Sequence, residues 1–239
     1  MIQIDYAQMP EINCPMCSAA SFEIVTYRFD SGRIVRCAEC GHIYLNPTLS
    51  DAVLRSIYEN YHGRNNDRAL MSMIEGWFID PAGPYQFALK LIEAEGGFEG
   101  QNVLEIGCGP GHFLNACQAR GARITGVDLS PHAVELAKAE FGIDVIHSSF
   151  EVAASEGVLP KQNFDLIFAF EVIEHVKEPG VFLTLVYDLL KPGGRLVLST
   201  PNFGLYYLMG KAAPAVNNWP EPVHFFDPDS LVRAVTRFG

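Results

Sequence analysis

In the stretch NVLEIGCGPGHFL, residues 102–114, three glycines stand at alternate positions, Gly107, Gly109 and Gly111, between two apolar runs. A bend so rich in glycine lets bare backbone lie against a ligand. Asp128 closes the next apolar run, ITGVDLS, 17 residues beyond Gly111. A carboxylate at that place can hold the two hydroxyls of a ribose. The dinucleotide fingerprint is G-x-G-x-x-G. Its last position here is the bulky His112, and Pro110 has no N–H to give a pyrophosphate. The pattern therefore suits a nucleoside ligand without a phosphate bridge, and a nucleotide-dependent oxidoreductase is the disfavoured alternative.

Two cysteine pairs carry a second chemistry. CPMC supplies Cys14 and Cys17, CAECG supplies Cys37 and Cys40, and 19 residues separate the pairs. A two-residue gap lets each pair wrap one face of a tetrahedral ion, and the spacing fits a four-cysteine zinc site. Four thiolates leave no open position, so such an ion is structural. Gly41 follows the second pair, where a tight knuckle needs glycine. Two matched pairs favour metal over a redox couple.

A third group sits in FEVIEHV, with Glu171, Glu174 and His175. Two carboxylates and an imidazole can hold a divalent ion such as Mg2+, which lowers the pKa of an attacking hydroxyl. The other reading has Glu174 and His175 holding the loop by local hydrogen bonds or positioning a proton acceptor. His224 lies beside Trp219, Phe225 and Phe226 in WPEPVHFFDPDSL. It reads as a further candidate base on an apolar substrate wall, or as a packed loop residue. Tyr206 and Tyr207 belong to the same lid or to a covering helix. His42 and His62 receive no role.

The elements that must position these residues follow from periodicity. Residues 49–98 read as helical: SDAVLRSIYENY has Ser50 as a cap, RALMSMIEGWFI is similar, and YQFALKLIEAEGG stops at Gly96-Gly97. From residue 99, strands and helices alternate. NVLEIG, RITGVD, DVIHS, FDLIFAF and RLVLSTP read as strands. HFLNACQARG, SPHAVELAKAEFG and PGVFLTLVYDLLKPGG read as helices, the second with Ser130 as cap and Pro131 at its first position. Continuous apolar strands alternating with helices predict an α/β fold with a mostly parallel sheet covered on both faces. The expected organisation is a small zinc-binding domain over 1–48, a helical connector over 49–98 and an α/β core over 99–239.

A chain of 239 residues with a net charge of −11 argues against broad affinity for nucleic acid or anionic lipid. The N-terminus carries no basic leader before an apolar core, and no apolar run is long enough to span a bilayer. A cytoplasmic protein is expected.

VLEIGCGPGHFL, GVDLS, FDLIFAFEVIEHV and LLKPGGRLVLSTPN together resemble the class I S-adenosylmethionine-dependent methyltransferases, in that family's order. The resemblance covers roughly residues 100–202 and implies a Rossmann-like core. It implies that Glu105, Gly107, Cys108, Gly109 and Gly111 surround the methionine end of S-adenosylmethionine, that Asp128 binds the ribose hydroxyls, and that Leu129 is a further cofactor-binding residue. Phe150 then packs on adenine, with Ser149 where relatives often carry an acid, and Glu151 available to serve instead. Phe170 and Glu171 face the reactive end. The E-x-x-E-H pattern resembles the metal motif of ubiquinone-pathway and small-RNA methyltransferases. Residues 37–62 resemble the zinc-ribbon leader of some bacterial methyltransferases, deoxysugar C-methyltransferases among them. The implied reaction is methyl transfer to O, C or N of a small molecule, such as a sugar or secondary metabolite; a non-catalytic cofactor-binding module is the alternative. The resemblance also implies a final antiparallel hairpin, for which no residues remain after DPDSLVRAVTRFG, so the core is expected to lack it.

Overall fold

The computed structural model describes residues 5–28, 32–50, 52–54, 56, 76–81, 83–205 and 222–238. Of the predicted helix over 50–61, residues 50, 52–54 and 56 are described, the last four as helix; the rest of it, most of that over 68–79, and His62, Tyr206, Tyr207 and Trp219 lie outside the described residues. The chain divides into two compact units. One comprises Met1–Leu54, Glu171–Tyr187 and Thr200–Gly239; the other comprises Arg55–Phe170 and Asp188–Ser199.

The second unit is built on five parallel strands, β4 (Asn102–Ile106), β5 (Arg123–Asp128), β6 (Ile146–His147), β7 (Phe164–Phe170) and β8 (Leu190–Ser199), in the order β6-β5-β4-β7-β8. Helix α1 (Pro84–Ala94) precedes β4, α2 (His112–Gln118) follows it, α3 (Pro131–Phe141) follows β5 and α4 (Phe150–Ser155) follows β6. This is the Rossmann-like sheet that the alternation of apolar runs predicts. Tyr85, Ala88, Leu89 and Ile92 of α1 and Phe113 and Cys117 of α2 bury against Val103, Leu166, Phe168 and Phe170 of the sheet. Leu114 of α2 meets Ala137 of α3 in a smaller cluster with Cys108, Ile143 and Val145.

Local chemistry explains the helix ends. Ser130 Oγ accepts the Ala133 N–H at 3.2 Å, Pro131 takes a first-turn position that needs no donor, and Gly142 ends α3 in the left-handed region. Strand β8 starts at Leu190, earlier than the expected Arg195. Leu190 pairs with Phe164 across a register shift, and Gly193 takes a φ of 80°, so the KPGG turn is absorbed as an irregularity in the ladder. Strand β6 is shorter than DVIHS.

The first unit holds a separate antiparallel sheet, β1 (Phe22–Arg28), β2 (Gly32–Cys37), β3 (Ile43–Leu45) and β9 (His224–Phe225), in that order. The stretch around His224, expected as a loop, supplies β9: Ile43 pairs with Phe225 and Tyr44 with His224. Helix α6 (Pro228–Phe238) follows it. Helix α5 (Pro179–Leu189) leads into β8. Among the described residues no helix is long and apolar enough to cross a membrane.

Candidate functional site

The glycine turn leaves the carboxyl end of β4 in a run of left-handed conformations. Gly107, Gly109 and Gly111 have φ of 67°, 51° and 81°. A Cβ on Gly109 would meet nothing within 4 Å, so this part of the turn faces open space. A Cβ on Gly111 would lie 3.3 Å from the Ala137 Cβ, so close helix approach demands glycine there as well. Cys108 is buried, and its Sγ lies 2.8 Å from where a Cβ on Gly126 would stand. Its small side chain fills the space beneath the turn.

The turn's own N–H groups are engaged within the protein. Gly107 and Cys108 donate to the Val127 carbonyl at 2.9 and 3.3 Å, and Gly111 donates to the Cys108 carbonyl at 3.0 Å. Gly109 donates to Asp128 Oδ2 at 2.8 Å, and Pro110 has no N–H. Asp128 Oδ1 accepts from the Ser130 N–H at 2.8 Å, so backbone donors fix both carboxylate oxygens. Glu105 is fully buried, and its Oε2 has no hydrogen-bond partner among the described residues. Burial and the neighbouring Asp128 charge hold its carboxyl well above the usual range, while the Leu114 N–H opposes them. A cradle with two acids and no spare turn N–H favours cations and hydroxyls over phosphates.

The remaining expected cofactor residues follow in sequence order. Leu129 is half-buried, with its carbonyl 3.2 Å from His147 Nε2. Ser149 caps α4, its Oγ accepting from Val152 at 3.3 Å, and Phe150 is the buried first residue of that helix, with Glu151 beside it. Phe170 ends β7, packed edge-on against Phe113 and Tyr85 at 4.9 Å. Glu171 follows with a φ of 53°, a conformation that costs a non-glycine residue energy.

Within the first unit, Glu174 is the hub of the candidate reactive loop. Its carbonyl accepts from Val223 and His224 N–H at 2.9 and 3.0 Å, and its Oε2 accepts from the Thr200 hydroxyl at 3.0 Å. Its Oε1 is 3.8 Å from His175 Nε2. Burial raises the Glu174 pKa to about 7; the charge of Glu171 adds to that and His175 opposes it. The His175 side chain is 24% exposed against 2% for Glu174, so it is the accessible member of the pair. His224 is buried between two protein partners: Nδ1 lies 3.1 Å from His42 Nε2 and Nε2 lies 3.4 Å from the Lys177 carbonyl. If His224 Nε2 carries the proton toward that carbonyl, Nδ1 accepts from His42. Burial pushes the His224 pKa down to about 4, although the Lys177 and Val176 carbonyls oppose this. His42, which sequence reasoning left without a role, is thus the partner of His224 across 182 residues.

The four cysteines also converge. Their sulfurs all lie within 4.8 Å of one another, with Cys14 to Cys40 at 3.6 Å and Cys17 to Cys37 at 3.5 Å. Sulfurs bound tetrahedrally at about 2.3 Å from zinc are about 3.8 Å apart, so the set fits that ion. Each knuckle closes on a left-handed residue, Ser18 after the first pair and Gly41 after the second. Burial pushes the Cys14 thiol up, whereas N–H groups of Cys40 and Glu39 outweigh burial at Cys37 and bring it down to about 7. Among the described residues this is the only converged group of three or more metal-ligating side chains; Glu171, Glu174 and His175 do not form one.

A family model described as a methyltransferase domain matches residues 80–239. The ubiquinone biosynthesis O-methyltransferase of Xylella fastidiosa (strain M23) is 34% identical over 158 residues, covering 61% of this chain and 62% of that protein. Its mitochondrial counterpart in Schizosaccharomyces pombe is 38% identical over 117 residues, covering 48% of this chain and 43% of that protein. The chain thus spans less than two thirds of the length of these relatives. Magnesium protoporphyrin IX methyltransferase from Synechocystis PCC 6803, solved with bound SAH, superposes with a TM-score of 0.56 at 15% identity, over 80% of this chain and 89% of that one. A methyltransferase from Mesorhizobium loti gives 0.51 at 22% identity, over 66% and 81%. These two likenesses are ones of fold.

Proposed function

The chain belongs to the class I S-adenosylmethionine-dependent methyltransferases, and we propose that it transfers the methyl group of that donor to an oxygen of a small molecule. The observation that carries this reading is the glycine turn whose N–H groups are internally engaged while Glu105 and Asp128 supply acids. S-adenosylmethionine, when bound, supplies a methyl carbon activated by a sulfonium. The residues of the chain bind and orient. The glycines leave space for the amino-acid portion, and Asp128, pre-set by Gly109 and Ser130, holds the ribose hydroxyls. Leu129, Ser149 and Phe150 line the adenine side, and Phe170 with Glu171 the reactive end. His175, backed by Glu174, takes the proton of the attacking hydroxyl. His224 positions the loop rather than taking the proton, since both its ring nitrogens face protein atoms.

Oxygen is favoured as acceptor because the relatives at 34% and 38% identity are named O-methyltransferases. Carbon and nitrogen acceptors remain in the assay panel. Incubation with methyl-labelled donor and a set of phenols, sugars and amines is the test. Label on an oxygen, with release of S-adenosylhomocysteine, is the expected result. Donor binding with no turnover on any acceptor would instead indicate a non-catalytic module. No step is routed through a divalent ion, since Glu171, Glu174 and His175 do not converge. Added Mg2+ should leave the rate unchanged.

Cys14, Cys17, Cys37 and Cys40 hold a structural zinc in this reading, within a ribbon over residues 1–48; residues 49–98 cover the cofactor and 99–239 form the catalytic core. A cytoplasmic setting keeps such thiols reduced. The net charge of −11 favours a small-molecule acceptor over nucleic acid. Elemental analysis should find one zinc per chain, lost in Cys37→Ser together with several kcal/mol of stability, on the order of what structural zinc contributes.

A further inference from the structure

Tyr85, the second residue of α1, stands at the ligand end of the second unit's sheet. Its ring is boxed by Trp77 at 5.0 Å and by Phe78, Phe113 and Phe170 at 4.9 Å. Phe113 lies just past the glycine turn that leaves β4, and Phe170 is the last residue of β7. In the order β6-β5-β4-β7-β8, the strand sequence reverses direction between β4 and β7. Open α/β sheets bind ligands outside the carboxyl ends of the strands at that reversal.

A phenylalanine would fill the same aromatic box, so the hydroxyl needs a separate reason. The residue is only 4% exposed; no hydrogen bond of the described residues engages its hydroxyl, which is not among the fully buried unpartnered polar atoms. Burial first, then the charges of Glu105, Cys108 and Asp128, hold its pKa well above the usual value, so it keeps its proton and acts as a donor. Those carboxylates suit a ligand's ammonium and ribose hydroxyls. The ligand's own carboxylate needs a donor of another kind. Residues 102–114 contain no Lys or Arg, and the N–H groups from Gly107 to Gly111 are already engaged.

We propose that the Tyr85 hydroxyl is a cofactor contact that donates a hydrogen bond to the carboxylate at the amino-acid end of the bound nucleoside. The assignment rests on the methyl-donor reading above. Its test is calorimetry on the full chain and on Tyr85→Phe with two probes. S-adenosylhomocysteine carries the amino-acid end, and 5′-methylthioadenosine lacks it. Loss of a hydrogen bond to a charged group should weaken S-adenosylhomocysteine roughly tenfold or more in Tyr85→Phe, while 5′-methylthioadenosine binds as it does to the wild type. Unchanged S-adenosylhomocysteine affinity overturns the assignment. So does an equal loss for both probes, which would mark Tyr85 as packing alone. A wild-type chain that binds neither probe overturns the methyl-donor reading itself, and this contact with it.

Discussion

In the cradle of the second unit, the polar work falls to backbone. Gly107, Cys108 and Gly111 N–H groups close the turn on carbonyls, and Gly109 and Ser130 N–H groups fix Asp128. In the loop of the first unit it falls to side chains: Glu174 with Thr200 and His175, and His224 with His42. A backbone-built frame is set by glycine positions, and its N–H groups do not titrate. A side-chain-built site holds groups poised near neutrality, as burial does for Glu174 at about 7. Binding a constant donor suits the first kind of construction, and moving a proton suits the second.

A crossed pair of substitutions gives the largest expected effects. His175→Ala should slow methyl transfer by ~10²–10⁴-fold with S-adenosylhomocysteine affinity unchanged. Asp128→Ala should weaken that affinity by roughly ten- to a hundredfold, since hydrogen bonds to a charged group are lost. Stopped assays and calorimetry on both variants would break the comparison if His175→Ala lost the ligand instead.

Stability against pH separates the two kinds of site next. The Glu174 pKa is raised from 4.5 to about 7, so its contribution is full below 4.5 and is lost as pH rises through about 7. The His224 pKa is lowered from 6.5 to about 4, so its contribution is full above 6.5 and is lost as pH falls through about 4. Each is about 3 kcal/mol at most, and the two oppose one another across the shared window. The wild-type denaturation midpoint should therefore vary little between pH 4.5 and 6.5. Glu174→Gln removes one side of the balance, and its midpoint should fall steadily as pH drops through that range.

The smallest effect concerns the turn itself. Gly111→Ala forces a side chain into a φ of 81° and against Ala137. A loss of about 1–2 kcal/mol is expected, read as a lower melting temperature. A neutral outcome would mean that α2 and α3 can separate freely.

What the sequence made legible was local. The three glycines, the Ser130 cap, Pro131 and Gly142 sit within a few residues of the structure they cause, and the cysteine pairs fit zinc by spacing. What it hid was long-range. WPEPVHFFDPDSL has no strand-like alternation around His224, yet pairing with Tyr44 and Ile43 makes a strand of it. His42 shows no sign of its role because its partner stands 182 positions away. Tyr85 reads as one more apolar position of an amphipathic helix, and only the box of rings around it singles out its hydroxyl.

In the reading proposed above, the glycine turn and Asp128 cradle a phosphate-free nucleoside. Calorimetry of the intact chain against S-adenosylmethionine and NAD tests it most directly. Saturable binding of S-adenosylmethionine, with no heat from NAD, is the predicted result. Binding of NAD in preference to S-adenosylmethionine would contradict it.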